Sequence, residues 1–246
     1  MWSYRKRMNQ FPKIFCLTLK DTLKRREYAE QHFKQHGLDV TFFEGINAKT
    51  FGLRTVIPFM DDLLSHNPSW KPGDSPPYYI TQGHIGCILS HYMLWKTISY
   101  LPDEEYLIFE DDVVLCDGFK DKLLDYKSRL PEDWKYVFVG HCCLPDESCR
   151  YKHIDNIYTT SHPPLCTHAY MIKKESTKVL IETNSVAWAH IDVQIQKRTL
   201  WDNKLKYYVF LPPLADQVSL LKQTSTNKSI DKDNIFNSLT LNSNYL

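Results

Sequence analysis

Glycine is scarce in this chain, 8 residues out of 246. Neither of the glycine-rich phosphate-binding patterns is present: no P-loop of the GxxxxGK(S/T) form and no GxGxxG after a strand. No GxSxG elbow is present, so a serine hydrolase of that type is excluded. No CxxC spacing occurs, which leaves Cys142, Cys143 and Cys149 near His141 and His153 as a weak zinc pattern. No apolar run approaches the length of a membrane span. The basic start Met-Trp-Ser-Tyr-Arg-Lys-Arg is not followed by an apolar segment, and no KDEL-type ending is found, so neither a signal peptide nor a retention signal is expected. Net charge is only +1, which gives no support to nucleic acid or an anionic membrane as the main partner.

What is present is ordinary globular composition, 43% hydrophobic and 24% charged, in a chain long enough for one large domain. Fifteen tyrosines and six tryptophans suit stacking on sugars or bases, and suit a packed core equally well. The seven cysteines are an odd number and several fall in expected buried elements. They are read as reduced thiols, which points to a cytoplasmic location.

The most informative stretch runs from Tyr106 to Leu115, where Glu110-Asp111-Asp112 interrupts two apolar runs. Apolar residues on both sides imply a strand buried on both faces. Burying a carboxylate costs several kcal/mol unless it is paired or bound to a cation. Three in a row therefore imply that the strand ends at a cleft, where the acids hold Mg2+ or Mn2+ together with substrate phosphates. The plainer alternative is a surface turn with solvated acids.

Around this stretch the pattern alternates. Strands are expected at 13–19, 40–46, 134–140, 169–172 and 206–211. Helices are expected at 20–36, 81–95, 117–130, 174–183 and 188–201, with Thr81 and Asp117 as caps. Ile85, Ile88, Tyr92 and Trp95 form the apolar stripe of the second helix. His84, Cys87 and His91 share a face that reads either as metal ligands or as packed side chains. Residues 50–80 and 141–164 read as irregular, and the segment from 222 as a polar tail. The fold class is α/β with a mostly parallel central sheet, one domain over 1–246 with a core of about 11–221 and the tail 222–246. The ligand is expected at the carboxyl edge of the sheet.

Several segments, in order, resemble glycosyltransferase family 25, which holds the lipooligosaccharide glycosyltransferases and the procollagen galactosyltransferases. They are Leu19 with Arg25-Arg26-Glu27, the helix Gly86 to His91 with Trp95, Phe109-Glu110-Asp111-Asp112-Val113, Thr167-His168-Ala169-Tyr170, and Ile191-Asp192 followed by Pro212-Pro213-Leu214 and Gln217. The resemblance spans about residues 13 to 217. It departs from the family pattern at Thr18, where an Asn is usual, and after Gln217, where a Ser-Asp-Ile ending is not present.

The resemblance implies a GT-A-like, Rossmann-type sandwich that takes a UDP-sugar with Mn2+ (or Mg2+) and transfers galactose or glucose with inversion. Asp112, then Glu110, would bind the metal. Asp111 would meet ribose or sugar hydroxyls, Arg25 the nucleotide, and Ser90 and His91 the donor pocket. Asp192 would be the base that deprotonates the acceptor. Each has a structural alternative: a helix cap for Asp192, surface ion pairs for Arg25, helix packing for Ser90 and His91. The acceptor implied is a glycan, a lipid-linked saccharide such as lipopolysaccharide, or hydroxylysine in a protein, with no nucleic acid and no transmembrane segment. The enzyme would be cytoplasmic, either free or peripheral to a membrane. Rival readings are a glycoside hydrolase, which also uses two carboxylates, and an inactive module that binds a sugar nucleotide or a partner.

Overall fold

A computed structural model describes residues 10–50, 81–142 and 144–218. Residues 51–80, expected to be irregular, Cys143 and the expected polar tail lie outside the described residues. The chain opens with strand β1 (Lys13–Thr18), helix α1 (Leu23–Gln35) and strand β2 (Val40–Glu44). β1 and β2 pair in parallel, as the strand–helix–strand spacing predicts. Helix α2 (Gln82–Tyr100) follows, and strand β3 (Glu105–Glu110) lies parallel to β1 on its other side.

Next come β4 (Val113–Leu115), α3 (Phe119–Ser128), β5 (Tyr136–Phe138) and the hairpin β6 (Arg150–Ile154) with β7 (Ile157–Thr160). The chain continues through β8 (Ala169–Lys173), α4 (Ser176–Thr183) and α5 (Ile191–Gln194), which runs on as a π-helical turn over Ile195–Leu200. β9 (Tyr207–Phe210) and β10 (Ala215–Gln217) complete the described elements.

Eight strands form one sheet in the order β2-β1-β3-β8-β5-β9-β7-β6. All but β8 and β7 run the same way, so the sheet is mostly parallel, as expected. Its inner strands are apolar on both faces because both faces are covered. Ile14 and Cys16 of β1, with Leu107 and Phe109 of β3, face one layer against Ala29 and Phe33 of α1. The alternate residues Phe15, Leu17, Tyr106 and Ile108 face the other layer against Ile88, Leu94, Trp95 and Ile98 of α2. The period of two along each strand assigns these two sides.

Three expectations are corrected. The segment 141–164 is not irregular throughout: it carries β6 and β7, with Asn156 in the turn at a φ of 68°. Most of β6 is exposed, so it lacks the apolar alternation that marks a strand. Asp117 does not cap α3; Gly118 holds that place at a φ of 67°, in the left-handed region that glycine enters without strain. The thiols are not all reduced: Cys142 and Cys166 form a disulfide, while Cys16, Cys87, Cys116 and Cys149 are free. The thiol-based case for a cytoplasmic location is weaker by that pair.

Candidate active site at the carboxyl edge of the sheet

β1 and β3 are parallel neighbours, so their carboxyl ends open at the same edge, with Leu17 opposite Glu110. Beyond that edge lies a cavity of about 170 Å³ lined by Thr18, Arg25, Asn47, Ser90, His91, Glu110 and Asp111, among others. Position at a strand end is what places Glu110 and Asp111 at a cleft rather than in the core, while Asp112, the next residue, does not line the cavity.

Each acid has its own set of partners. Glu110 Oε1 accepts the Thr167 hydroxyl at 2.6 Å and lies 3.1 Å from His91 Nε2. Burial pushes its carboxyl up, but these two hydrogen bonds and the charge of His91 outweigh that and hold it well below the ordinary range. Asp111 accepts the Thr18 hydroxyl at 2.9 Å and pairs with Arg25 Nη2 at 2.5 Å. Burial, reinforced by Asp112 and Glu110, nonetheless raises it to about 6. Asp112 Oδ2 accepts from Gln217 Nε2 at 2.9 Å and lies 3.2 Å from Arg25 Nη2. Its other oxygen, Oδ1, is buried and has no hydrogen-bond partner among the described residues.

Arg25 therefore turns inward from α1 onto Asp111 and Asp112 and is not a surface ion-pair residue. Burial lowers its pKa, but the two aspartates more than offset this and raise it. Ser90 and His91 both line the cavity with their polar atoms already engaged. Ser90 Oγ accepts the Ile46 N–H at 2.7 Å and donates to the Gly86 carbonyl at 2.6 Å. Gly86 is required there: a Cβ on it would fall 2.5 Å from the Ile46 carbonyl oxygen. His91 is fully buried, its Nδ1 2.9 Å from Tyr170 Oη, which also accepts from Trp95 Nε1 at 2.9 Å. The Cys87 sulfur, a ring nitrogen of His91 and a carboxylate oxygen of Glu110 lie within 4.8 Å of one another. Burial pushes the Cys87 thiol well above its ordinary range. In the absence of a cation this favours the protonated thiol.

Asp192 lies on another element. It is in the first turn of α5, whose cap position is held by His190, so Asp192 is not the cap residue. Its Oδ1 accepts the Val193 N–H at 2.8 Å and its Oδ2 the Cys166 N–H at 3.1 Å. It does not line the cavity beside Arg25. Asp192 is linked to the acids through the chain: Cys166 is followed by Thr167, which holds Glu110. Thr18, Thr167 and Cys166 were not singled out from sequence as contacts. A hydroxyl at the end of a buried strand, as at Thr18, and the motif position of Thr167 were the only signals available.

Residues 11–195 match the family model described as "Glycosyltransferase family 25 (LPS biosynthesis protein)". Among curated proteins, a "Glycosyltransferase 25 family member" of Aedes aegypti is 27% identical over 175 residues, which is 69% of this chain and 28% of that protein. "Procollagen galactosyltransferase 2" of Homo sapiens is 29% identical over 136 residues, 53% of this chain and 21% of that protein. The match thus spans 28% or less of the length of these relatives. Among solved structures, a glycosyltransferase involved in glycosylation of the major capsid of PBCV-1 aligns with a TM-score of 0.44 and 13% identity, covering 80% of this chain and 81% of that one. The glycosyltransferase GlyE of Streptococcus pneumoniae TIGR4 aligns with a TM-score of 0.44 and 8% identity, covering 94% and 60%. The mostly parallel sheet flanked by helices is the α/β arrangement expected of a GT-A-like sandwich. With three quarters of its length, residues 11–195, matched by that family model, the chain belongs to glycosyltransferase family 25.

Proposed function

We propose that the protein transfers a hexose, galactose or glucose, from a UDP-sugar to a hydroxyl acceptor, with inversion and with a divalent cation. The observation that carries this is Asp112 Oδ1, buried and without a hydrogen-bond partner among the described residues, in the residue that follows the cavity-lining Glu110 and Asp111. A buried carboxylate oxygen without a partner is costly unless an ion or donor meets it. The site fits a hard cation: Asp112 and Glu110 offer oxygen ligands, and a bound cation would neutralise charge on the departing diphosphate.

The chain's own residues supply the rest. Arg25 and Thr18 hold Asp111 at the cavity wall, where its oxygens can accept ribose or sugar hydroxyls. Ser90 pins the turn at Ile46 that forms part of the same wall. Asp192, held by two backbone amides, takes the proton as the acceptor oxygen forms its bond to the anomeric carbon and the bond from that carbon to the diphosphate oxygen breaks. The hexose and a procollagen-type acceptor follow from the relative's name; lipopolysaccharide follows from the family description. Among the described residues no helix is long and apolar enough to cross a membrane.

The test is release of UDP from UDP-galactose and UDP-glucose, with Mn2+ or EDTA, in the presence of a hydroxylysine-containing collagen peptide or a lipooligosaccharide. Acceptor-dependent UDP release that stops in EDTA supports the reading. Asp192→Asn should lower turnover by about 10²-fold or more with donor affinity unchanged. Sugar release from a glycoside without nucleotide would support a hydrolase instead.

A further inference from the structure

The disulfide between Cys142 and Cys166, 24 positions apart in sequence, closes a loop that contains the β6–β7 hairpin. The neighbouring backbone is paired as well: Cys142 and Leu165 exchange two N–H···O bonds of 3.0 Å. Cys166 itself has a φ of 77°. A residue with a Cβ enters this left-handed region only where its surroundings compel it.

Cys166 and the two residues that follow it hold both halves of the site. The Cys166 N–H donates to Asp192 Oδ2 at 3.1 Å. The Thr167 hydroxyl donates to Glu110 Oε1 at 2.6 Å. The His168 carbonyl accepts the Glu110 N–H at 3.0 Å. A second tie comes from the base's side: Gln196 Nε2, on the turn that continues α5, donates to the Pro163 carbonyl at 2.6 Å. The aspartate read as the base and the glutamate read as a cation ligand are thus fixed relative to each other through one short piece of chain. The first residue of that piece, Cys166, is covalently bonded to Cys142.

We propose that the Cys142–Cys166 disulfide is a positioning element of the transferase site, and that its reduction lowers turnover while the fold and donor binding persist. This rests on the transferase reading above. The step is a two-electron reduction by a thiol or phosphine, which converts the S–S bond into two thiols. The competing role is purely structural, in which the bond stabilises the fold by restricting the unfolded chain. The two differ in what they move: a structural role changes the folded fraction, and a positioning role changes kcat of protein that is still folded.

The experiment compares the oxidised full chain with the chain reduced by tris(2-carboxyethyl)phosphine, and with the variants Cys142→Ser/Cys166→Ala and Cys142→Ser/Cys166→Gly. All are measured below their unfolding transitions. Hydrogen exchange at residues 165–168 supplies a readout independent of activity. The expected result is a kcat about tenfold lower in the reduced and Cys166→Ala forms, the scale of one lost charge-assisted hydrogen bond. UDP affinity should be unchanged and exchange at 165–168 faster. The Cys166→Gly form should recover part of the turnover, because glycine takes the left-handed φ freely. Reoxidation should restore the wild-type rate. Equal kcat and equal exchange protection in oxidised and reduced protein would overturn the proposal. So would a loss that follows the unfolded fraction alone. If oxidised wild type transfers no sugar from any UDP donor, the transferase reading fails and the proposal fails with it.

Discussion

Arg25 Nη2 lies 2.5 Å from Asp111 Oδ1, an ion pair that joins α1 to the turn after β3. The same nitrogen is 3.2 Å from Asp112 Oδ2. One guanidinium thus answers two of the three adjacent carboxylates. A cation that binds Asp112 would enter next to charge already partly neutralised.

Replacing Arg25 by Gln removes that compensation. Breaking a buried ion pair from one side costs roughly 3–5 kcal/mol, and partial exposure of Arg25 places this case at or below the lower end. The expected outcome is a lower melting temperature in EDTA, with a larger recovery on adding Mn2+ than wild type shows. Differential scanning calorimetry in the two conditions checks it. Equal Mn2+ responses in variant and wild type would show that Arg25 and the cation do not share a task.

Tyr170 Oη is the common partner of His91 Nδ1 and Trp95 Nε1, and all three side chains are buried. Tyr170→Phe keeps the ring in place and leaves two buried groups unpaired. The expected loss is about 2–4 kcal/mol in urea unfolding, since each orphaned group costs about 1–3 kcal/mol. A loss below about 0.5 kcal/mol would mean that the network does not hold His91 against Glu110.

His32 Nε2 accepts the Leu115 N–H at 2.9 Å, so it must be neutral at that atom. Burial, and then the charge of His36, lower its pKa to about 4. An unfolded His titrates near 6.5, so the unfolded chain binds the proton more readily between about 4 and 6.5. The stability that His32 contributes is therefore complete above about 6.5 and is lost as pH falls toward 4. Its upper bound is on the order of 3 kcal/mol, less for its partial exposure. His141 is lowered to about 4 by burial and acts in the same direction. His32→Gln retains an acceptor and should flatten, without abolishing, the fall in unfolding free energy between pH 7 and 4.5. A wild-type-to-variant difference that is constant across that range contradicts this.

The sequence made the layered α/β fold legible because β1 and β3 are apolar on both faces and the helices between strands carry their own period. The same pattern located Glu110, Asp111 and Asp112, since acids inside an apolar run have no core solution. Thr81 was identified as a cap from its position, and it accepts the His84 N–H at 3.3 Å. What was not legible depends on contacts across long separations. Thr18 meets Asp111 over 93 residues and Gln217 meets Asp112 over 105. No local pattern encodes such pairs. β6 was missed because its exposed residues show no alternation, and β10 because only Ala215 of its three residues is apolar. The Cys142–Cys166 pair was missed because an odd cysteine count does not say which thiols meet.

The most direct measurement is thermal stability of wild type and Asp112→Asn with UDP-galactose, UDP-glucose and UDP, each with Mn2+ and with EDTA. A ligand at a hundred times its dissociation constant stabilises the native state by about 2.7 kcal/mol, or roughly 5–10 °C for a domain of this size. The predicted result is a shift of that order for wild type with at least one UDP-sugar and Mn2+, absent in EDTA and absent in Asp112→Asn. No shift for folded wild type with any nucleotide, or one that survives both EDTA and the substitution, would contradict a cation-assisted UDP-sugar site at Glu110, Asp111 and Asp112.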